Sequence, residues 1–235
     1  MAENNWLGDK TKQGFYKKTK TAEGKTEILA LDLKTLEYRP QQKVKSATLE
    51  LTKPIENVKD RMKVFATGKD KAAELFRASS FGLFEYVSDR IPEISDELYR
   101  IDDAMRAGFG WDLGPFELWD AVGIAAAIEG MKAYQHTPAA WVQEMLDAGH
   151  TTFYKVENGV KHYYDIPTKT YKALPGASDF VILDNLRGNK TIWKNSGASI
   201  IDLGDGILNV EFHSKMNTIG GDTLQAINKA IDLAE

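Results

Sequence analysis

A glycine-rich segment between two short helical stretches constrains this chain more than any other feature. Residues 101–123 read I-D-D-A-M-R-A-G-F-G-W-D-L-G-P-F-E-L-W-D-A-V-G. Glycine permits a tight backbone turn, and proline suits the first position of a helix because its missing N–H is not needed there. The segment therefore predicts a helix that carries Asp102 and Asp103, then a turn, then a second helix that begins at Pro115. The turn contains three glycines, namely Gly108, Gly110 and Gly114.

Composition excludes several classes of protein. The 235 residues are 43% hydrophobic and 27% charged, which is ordinary for a globular protein, and the net charge of −4 argues against a nucleic-acid binder. The absence of cysteine excludes disulfides, thiolate metal ligands and cysteine nucleophiles. The N-terminus lacks a secretory pattern, and the apolar run at 121–128 is too short to span a bilayer. We therefore expect a cytoplasmic protein. A local excess of lysines near the N-terminus is interpreted as a solvated surface.

A short pattern occurs twice. Phe-Tyr-Lys at 15–17 recurs at 153–155, and each copy is followed by a glycine and an extended segment, at 31–38 and 164–171. In both segments an aspartate is followed by threonine three positions on and tyrosine six positions on. Alternating apolar residues around a polar turn are typical of a small β-hairpin. The shared spacing predicts a duplicated hairpin module.

The sequence between the two copies predicts helices. Apolar residues at helical spacing follow Pro54 and recur across 69–90. Ser95 is positioned to cap a helix that reaches Ala107, and a further helix is expected to start at Thr137 and Pro138. The aromatic residues at helical spacing are interpreted as core.

Residues 199–235 predict a different arrangement. Residues 199–212 indicate two short strands joined by a Gly-Asp-Gly turn. A loop at 213–219 follows, and then an amphipathic helix with Leu224, Ile227 and Ile231 on one face.

Three segments resemble known families. One segment resembles the signature of the C-terminal helical domain of 3-hydroxyacyl-CoA dehydrogenases, through the order D-x-A-M-x-x-G-F-G-x-x-x-G-P-F-E-L-x-D-x-x-G. The family usually has Pro-Met-Gly-Pro where this chain has Asp-Leu-Gly-Pro at 112–115. Residues 6–16 resemble the L-G-x-K-T-G-x-G-F-Y ending of that family's first helical domain. Residues 199–235 resemble the opening of the crotonase fold, the enoyl-CoA hydratase/isomerase family.

The resemblance implies a mainly α fold, in which a 3-hydroxyacyl-CoA dehydrogenase C-terminal-like helical domain with small β-hairpins precedes the incomplete start of an α/β crotonase fold. It divides the chain into the end of a preceding helical dehydrogenase domain (1–20), a hairpin and linker (21–53), the helical domain (54–175), a second linker (176–198) and a truncated crotonase start (199–235). The chain would then be an internal fragment of a longer bifunctional enzyme.

For function, the resemblance implies an NAD-dependent oxidoreductase of fatty-acid β-oxidation that converts 3-hydroxyacyl-CoA to 3-oxoacyl-CoA. NAD would be bound by a missing upstream Rossmann domain, with no cofactor on this fragment, which is expected to be inactive alone. The implied partners are acyl-CoA, the Rossmann and first helical domains, the rest of the crotonase domain and a second copy in a homodimer. The alternative is a stand-alone, non-enzymatic helical module that binds acyl-CoA or a protein partner.

Few residues are candidates for a site. The resemblance implies no catalytic or cofactor-binding residue in this chain. Candidates for an acyl-CoA contact or interface are Phe109, Trp111, Gly114, Pro115 and Phe116, and candidates for a CoA-contacting loop are Lys215 and Asn217.

The remaining polar groups give weaker signals. Gly108-Phe109-Gly110 does not follow a strand, as a dinucleotide site would require. The four histidines have no metal-ligand spacing, so no metal site is predicted. Glu211 and His213 would share a strand face as a dyad. Glu117 and Asp120 lie three positions apart on a short helix, which permits a carboxylate pair. The favoured interpretation is that they are surface charges beside a buried Phe116 and Trp119.

Overall fold

A computed structural model describes residues 1–42, 44–177 and 180–235. The chain divides into two compact units, Met1–Leu49 and Glu50–Glu235. Within the described ranges, no helix is long and apolar enough to cross a membrane.

The first unit is built on a small antiparallel sheet. Its strands are β1 (Tyr16–Lys20), β2 (Thr26–Leu31) and β3 (Tyr38–Pro40), in the order β1-β2-β3. A 3-10 turn, Asp9–Thr11, precedes the sheet, and the backbone N–H of Gly8 donates to the Gln13 carbonyl across that turn. Helix α1 (Ala47–Thr52) includes the point at which the two units divide.

The second unit combines helices with two further antiparallel sheets, of order β4-β5-β6 and β7-β8-β9. Its first helices are α2 (Val58–Thr67), α3 (Lys71–Asp89), α4 (Leu98–Phe109), α5 (Pro115–Val122), α6 (Ile124–Lys132) and α7 (Ala140–Asp147). The elements that follow are β4 (Tyr154–Glu157), β5 (Val160–Asp165), β6 (Thr170–Ala173), α8 (Leu183–Lys190), β7 (Thr191–Lys194), β8 (Ala198–Gly204), β9 (Ile207–Phe212) and α9 (Gly221–Ala234).

The predicted duplication is confirmed by matching backbone geometry. We call β1–β3 the first module and β4–β6 the second module. The Leu31 N–H donates to the Phe15 carbonyl at 2.9 Å, and at the equivalent position Tyr164 donates to Phe153 at 2.8 Å. In the turn between the second and third strands of each module, an aspartate side chain accepts the backbone N–H of the threonine three residues later. The structure therefore contains two copies of one three-stranded design.

A tyrosine closes each module in the same way. The Tyr38 hydroxyl donates to the Gly14 carbonyl at 2.6 Å, and the Tyr171 hydroxyl donates to the Thr152 carbonyl. A lysine ammonium lies over each of these tyrosine rings. Lys17 lies over the ring of the first module, and Lys155 lies over the ring of the second. The shared sequence spacing thus corresponds to shared contacts.

The start of α4 differs from the prediction. The helix begins at Leu98, and its N-cap is Glu97, two residues after the predicted cap Ser95. The Ser95 hydroxyl instead donates to the Glu97 carbonyl and accepts the Glu97 N–H, which forms a separate local turn. Serine competes for nearby backbone groups in this way, which is why a cap motif locates a helix start only approximately.

Aromatic side chains form the core of the second unit, as predicted. Phe84 and Trp119 stack with ring centroids 4.7 Å apart and an interplanar angle of 3°. Phe153, at the start of the second module, packs edge-on against Phe116 (5.1 Å), Trp119 (5.2 Å) and Trp141 (5.7 Å). The fully buried ring of Phe153 therefore anchors the second module in the helical core.

The third sheet confirms the strands and the turn predicted at 199–212. Asp205 and Gly206 both have positive φ between β8 and β9, as a tight hairpin turn requires. Helix α9 is also present, but its buried residues are Thr223 and Ala226, while Leu224 is exposed. The segment 176–198, predicted as a linker, holds α8 and β7 in its described part.

Candidate functional site

The glycine-rich segment forms a close turn between α4 and α5. Gly110 ends α4 in the left-handed conformation (φ 66°), which glycine adopts without a steric penalty. Gly114 is the N-cap of α5, and Pro115 occupies the first position of that helix, as predicted. A Cβ atom on Gly114 would lie 2.3 Å from the Cβ of Asp102, so only glycine fits at this position.

Asp102 replaces the missing cap side chain of α5. In a capping box the N-cap side chain accepts the N–H of the third helical residue, whose own side chain accepts the N–H of the cap. Gly114 has no side chain to offer. The Asp102 carboxylate, reaching across from α4, accepts the N–H groups of Phe116 (2.8 Å) and Glu117 (3.1 Å). It also accepts the Tyr154 hydroxyl at 2.7 Å, and it is fully buried.

Glu117 completes the cap from inside α5. Its carboxylate accepts the Gly114 N–H at 3.0 Å and pairs with both Arg106 and Lys161. The side chain is buried, so the interpretation of Glu117 as a surface charge is wrong. A buried carboxylate is tolerated here because two cations and a backbone donor compensate for its lost hydration.

Asp120 joins α5 to the second module. Its carboxylate accepts the backbone N–H of Phe153 at 2.7 Å and that of Tyr154 at 2.9 Å. Asp120 is partly buried, so it too is more than a surface charge. We refer to Asp102, Glu117 and Asp120 as the carboxylate clamp, because together they hold α4, α5 and the second module in contact.

Burial changes the protonation of the carboxylate clamp. Loss of hydration raises the pKa of Asp102 to about 7 and the pKa of Asp120 to about 7, although their backbone hydrogen bonds act in the opposite direction. Burial also opposes ionisation of Glu117, but Lys161 and Arg106 outweigh it and hold the pKa of Glu117 below its usual value. Each carboxylate oxygen of the clamp accepts a hydrogen bond from another group of the protein, so this geometry is typical of a structural role.

The structure separates the five predicted contact residues into two groups. Gly114, Pro115 and Phe116 are buried in the turn and the core. Phe109 and Trp111 are 72% and 39% exposed, and their ring centroids lie 6.5 Å apart. Of these five residues, Phe109 and Trp111 are the ones that a ligand or partner can reach, and their role stays a prediction.

The predicted CoA loop is a surface turn. Lys215 and Asn217 are exposed and belong to a 3-10 turn, Lys215–Asn217, in which Asn217 has a positive φ of 52°. The backbone N–H of Thr218 donates to the Lys215 carbonyl and so closes the turn. The lysine ammonium is available to a phosphate, and this role also stays a prediction.

Glu211 and His213 contact different partners. Glu211 pairs with Arg187 from α8, while His213 Nε2 lies 2.8 Å from the hydroxyl of Ser199 on β8. In the described ranges, no group of three or more histidine and acidic side chains is placed to hold a metal ion.

The glycine-rich turn does not fit a dinucleotide. Gly108 and Gly110 lie at the C-terminal end of a helix, and the Gly110 N–H donates to the Arg106 carbonyl. The N–H of Gly114 is taken by Glu117. A dinucleotide cradle requires a parallel βαβ unit, whereas the three sheets of the described residues are antiparallel.

Comparisons with known proteins find sequence similarity to proteins named for 3-hydroxyacyl-CoA dehydrogenase and fatty acid oxidation. Residues 83–163, which contain the whole carboxylate clamp, match the family model "3-hydroxyacyl-CoA dehydrogenase, C-terminal domain". A Bacillus subtilis protein named "Probable 3-hydroxyacyl-CoA dehydrogenase" is 42% identical over 236 residues, which cover 100% of this chain and 29% of the relative. No solved structure matches the chain.

Two further relatives come from Rickettsia prowazekii and Rickettsia felis. Each is named "Putative fatty acid oxidation complex trifunctional enzyme" and is 28% identical over 118 residues, which cover 50% of this chain and 15% of the relative. This chain therefore spans less than a third of the length of the relatives it matches. The similarity relates the chain to the 3-hydroxyacyl-CoA dehydrogenase family, through a C-terminal domain match at residues 83–163.

Proposed function

We propose that this chain forms the C-terminal helical part of a longer NAD-dependent 3-hydroxyacyl-CoA dehydrogenase, which oxidises 3-hydroxyacyl-CoA to 3-oxoacyl-CoA in fatty-acid oxidation. The observation that carries the proposal is the similarity of the whole chain to a dehydrogenase more than three times as long. The family match also includes every residue of the carboxylate clamp. Hydride transfer and NAD binding are assigned to a part of the enzyme outside these residues.

Within that enzyme, we propose that the chain has a structural role and one acyl-CoA contact. The carboxylate clamp holds the α4–α5 turn rigid, and the turn presents Phe109 and Trp111 to solvent. An exposed aromatic pair on a fixed turn suits an apolar acyl chain or a second protein surface. A downstream crotonase domain is the further part of this proposal, and the resemblance of residues 199–235 supports it.

An assay of the purified chain tests the division of roles. With 3-hydroxyacyl-CoA and NAD, we expect no NADH absorbance to develop, and NADH formation by the chain alone would contradict the proposal. Calorimetric titration with an acyl-CoA should show binding that falls about tenfold or more in a Phe109→Ser/Trp111→Ser variant, because a buried aromatic contributes more than about 1.4 kcal/mol. Tyr86→Ser, which alters an exposed aromatic on α3, is the matched control.

The alternative is a free-standing helical module that binds acyl-CoA or a protein. The reading frame on both sides of this segment in its source DNA distinguishes the two. An adjoining frame with a strand–G-x-G-x-x-G–helix pattern supports the dehydrogenase. A start codon at Met1 and a stop codon directly after Glu235 would support the free-standing module instead.

A further inference from the structure

Asn158 and Gly159 form the two-residue turn between β4 and β5. Both residues have positive φ, 51° and 78°, as a hairpin turn of this length requires. The paired residues Glu157 and Val160 close the turn on the strand ladder. The turn also has a chemical property of its own, because this is the one position in the 235 residues where a glycine follows an asparagine.

An asparagine that precedes glycine can convert itself with water as the co-reactant. The Gly159 nitrogen, once deprotonated, bonds to the Asn158 Cγ, and the bond from Cγ to the side-chain nitrogen breaks, so that ammonia leaves with the lost proton. Water then opens the resulting cyclic imide. Attack at Cγ leaves aspartate, whereas attack at the main-chain carbonyl carbon leaves isoaspartate, in which the chain runs through the former side chain. Glycine favours ring closure because no side chain shields its nitrogen.

The two reacting groups of this turn are accessible. Asn158 is exposed. The Gly159 N–H lies outside the β4–β5 ladder, and no backbone carbonyl of the described residues accepts it. The end of a hairpin opens locally at a small cost in free energy, so the rotation that brings the Asn158 Cγ to the Gly159 nitrogen is available to the folded chain.

Asn195, which precedes a serine, shows the opposite arrangement. Its Oδ1 accepts the backbone N–H groups of Gly197 (3.0 Å) and Ala198 (2.9 Å), and its Nδ2 donates to the Asp222 carbonyl at 2.9 Å. The same ring closure at Asn195 would have to break these hydrogen bonds. Asn195 is therefore a control within the same chain.

Helix α8 restricts the motion of the turn. A Cβ atom on Gly159 would lie 2.9 Å from the Cδ2 of Leu186, so this leucine packs directly against the glycine backbone. Ring closure requires the main chain between Asn158 and Gly159 to rotate, and Leu186 opposes that rotation. We therefore expect the leucine to slow the reaction in the folded chain.

We propose that Asn158 is a deamidation site, at which water converts the asparagine to aspartate and isoaspartate, and that the isoaspartate form has a weakened carboxylate clamp. Isoaspartate lengthens the main chain of the turn by one methylene, so Glu157 and Val160 no longer close it in the same register. The next residue on β5 is Lys161, one of the two cations that compensate for buried Glu117. Displacement of Lys161 leaves that carboxylate with less compensation. The inference does not depend on the proposed function.

Ageing the purified chain in mildly alkaline buffer tests the site. Peptide mapping by mass spectrometry follows the conversion of each asparagine amide to an acid, and enzymatic methylation detects isoaspartate. We expect Asn158 to react at least about tenfold faster than Asn195, at a rate that rises in proportion to hydroxide concentration. Leu186→Ala should raise the rate at Asn158 relative to that at Asn195. Equal rates at the two asparagines would overturn the site, and an unchanged ratio in Leu186→Ala would overturn the role of α8.

The stability of the aged forms tests the effect on the carboxylate clamp. After chromatographic separation, the isoaspartate form should have a Tm about 4 °C or more below that of the unaged chain. Asn158→Gly is the matched control, because glycine tolerates the positive φ but has no amide, and ageing should leave its Tm unchanged. In Lys161→Ala the isoaspartate form should lose less, since the cation is already absent. An isoaspartate form as stable as the unaged chain, or an equal loss in Lys161→Ala, would overturn the effect on the clamp.

Discussion

Replacing Gly114 with alanine will force α4 away from the start of α5. The new Cβ would lie 2.3 Å from the Cβ and 2.4 Å from the Cα of Asp102, whereas carbon atoms in contact are about 3.5–4.0 Å apart. The φ of Gly114 is −72°, which alanine adopts freely, so the effect is purely steric. Neither contact atom is at the end of a flexible side chain, so the two helices must separate by more than about 1 Å.

The free energy of that separation can be estimated from the contacts it disrupts. Overpacking a well-filled interior costs about 1–3 kcal/mol. A shift of this size also breaks the hydrogen bonds from the Phe116 and Glu117 N–H groups to Asp102, now 2.8 and 3.1 Å long. Each buried group left without a partner costs about 1–3 kcal/mol. We therefore expect Gly114→Ala to lower the free energy of unfolding by about 4 kcal/mol.

Gly108 provides the matched control seven residues from α5. It lies inside α4, is exposed, and a Cβ there would have no neighbour within 4 Å. Alanine is favoured over glycine inside a helix, so Gly108→Ala should raise the free energy of unfolding by about 0.5–1 kcal/mol. Urea unfolding followed by far-ultraviolet circular dichroism measures both variants against the parent. A Gly114→Ala variant within about 1 kcal/mol of the parent would refute the steric argument, as would equal losses in both variants.

Three further predictions concern the carboxylate clamp. Asp120→Ala should lower the free energy of unfolding by about 2–5 kcal/mol, because the Phe153 and Tyr154 N–H groups lose their acceptor, whereas exposed Asp112→Ala should change it by less than about 0.5 kcal/mol. Tyr154→Phe should lower the free energy of unfolding by about 1.5–3 kcal/mol above pH 7, because Asp102 is ionised there and the lost hydrogen bond is charge-assisted. Urea titration at pH 5 tests whether this loss of stability becomes smaller when Asp102 is protonated. Because the folded-state pKa values of Asp102 and Asp120 are raised to about 7, their contribution to stability is present below pH 4 and lost as pH rises through about 7. Denaturation at pH 5 and pH 8 should show this fall in the parent and a smaller one in Asp120→Asn, and equal falls would contradict the assignment.

The local elements could be predicted from sequence because local chemistry determines them. Glycine and proline at Gly110 and Pro115 set the turn, and the paired aspartates and tyrosines of the modules set the hairpins. The sequence predicts too early a start for α4, because the Ser95 hydroxyl donates to the Glu97 carbonyl and does not cap the helix. Such competition between nearly equal local hydrogen bonds is decided by the surrounding packing.

The carboxylate clamp could not be predicted from spacing alone. Glu117 is buried because Arg106 and Lys161 compensate for its charge, and Lys161 is 44 positions away in the sequence. One signal was nevertheless present. A helix that begins with Gly114 and Pro115 has no cap side chain of its own, so an acceptor from elsewhere had to satisfy its first N–H groups. Asp102, on the preceding helix, is that acceptor.

The short loop from Gly110 to Leu113 has little conformational freedom left to lose. Its two ends are tied together across the turn, since Arg106 near the end of α4 pairs with Glu117 near the start of α5. Ordering a free backbone costs about 1–2 kcal/mol per residue, and in this loop folding has already met that cost. A molecule that packs against Trp111 therefore meets a surface that is already arranged, and its affinity is not reduced by the entropy of forming the loop.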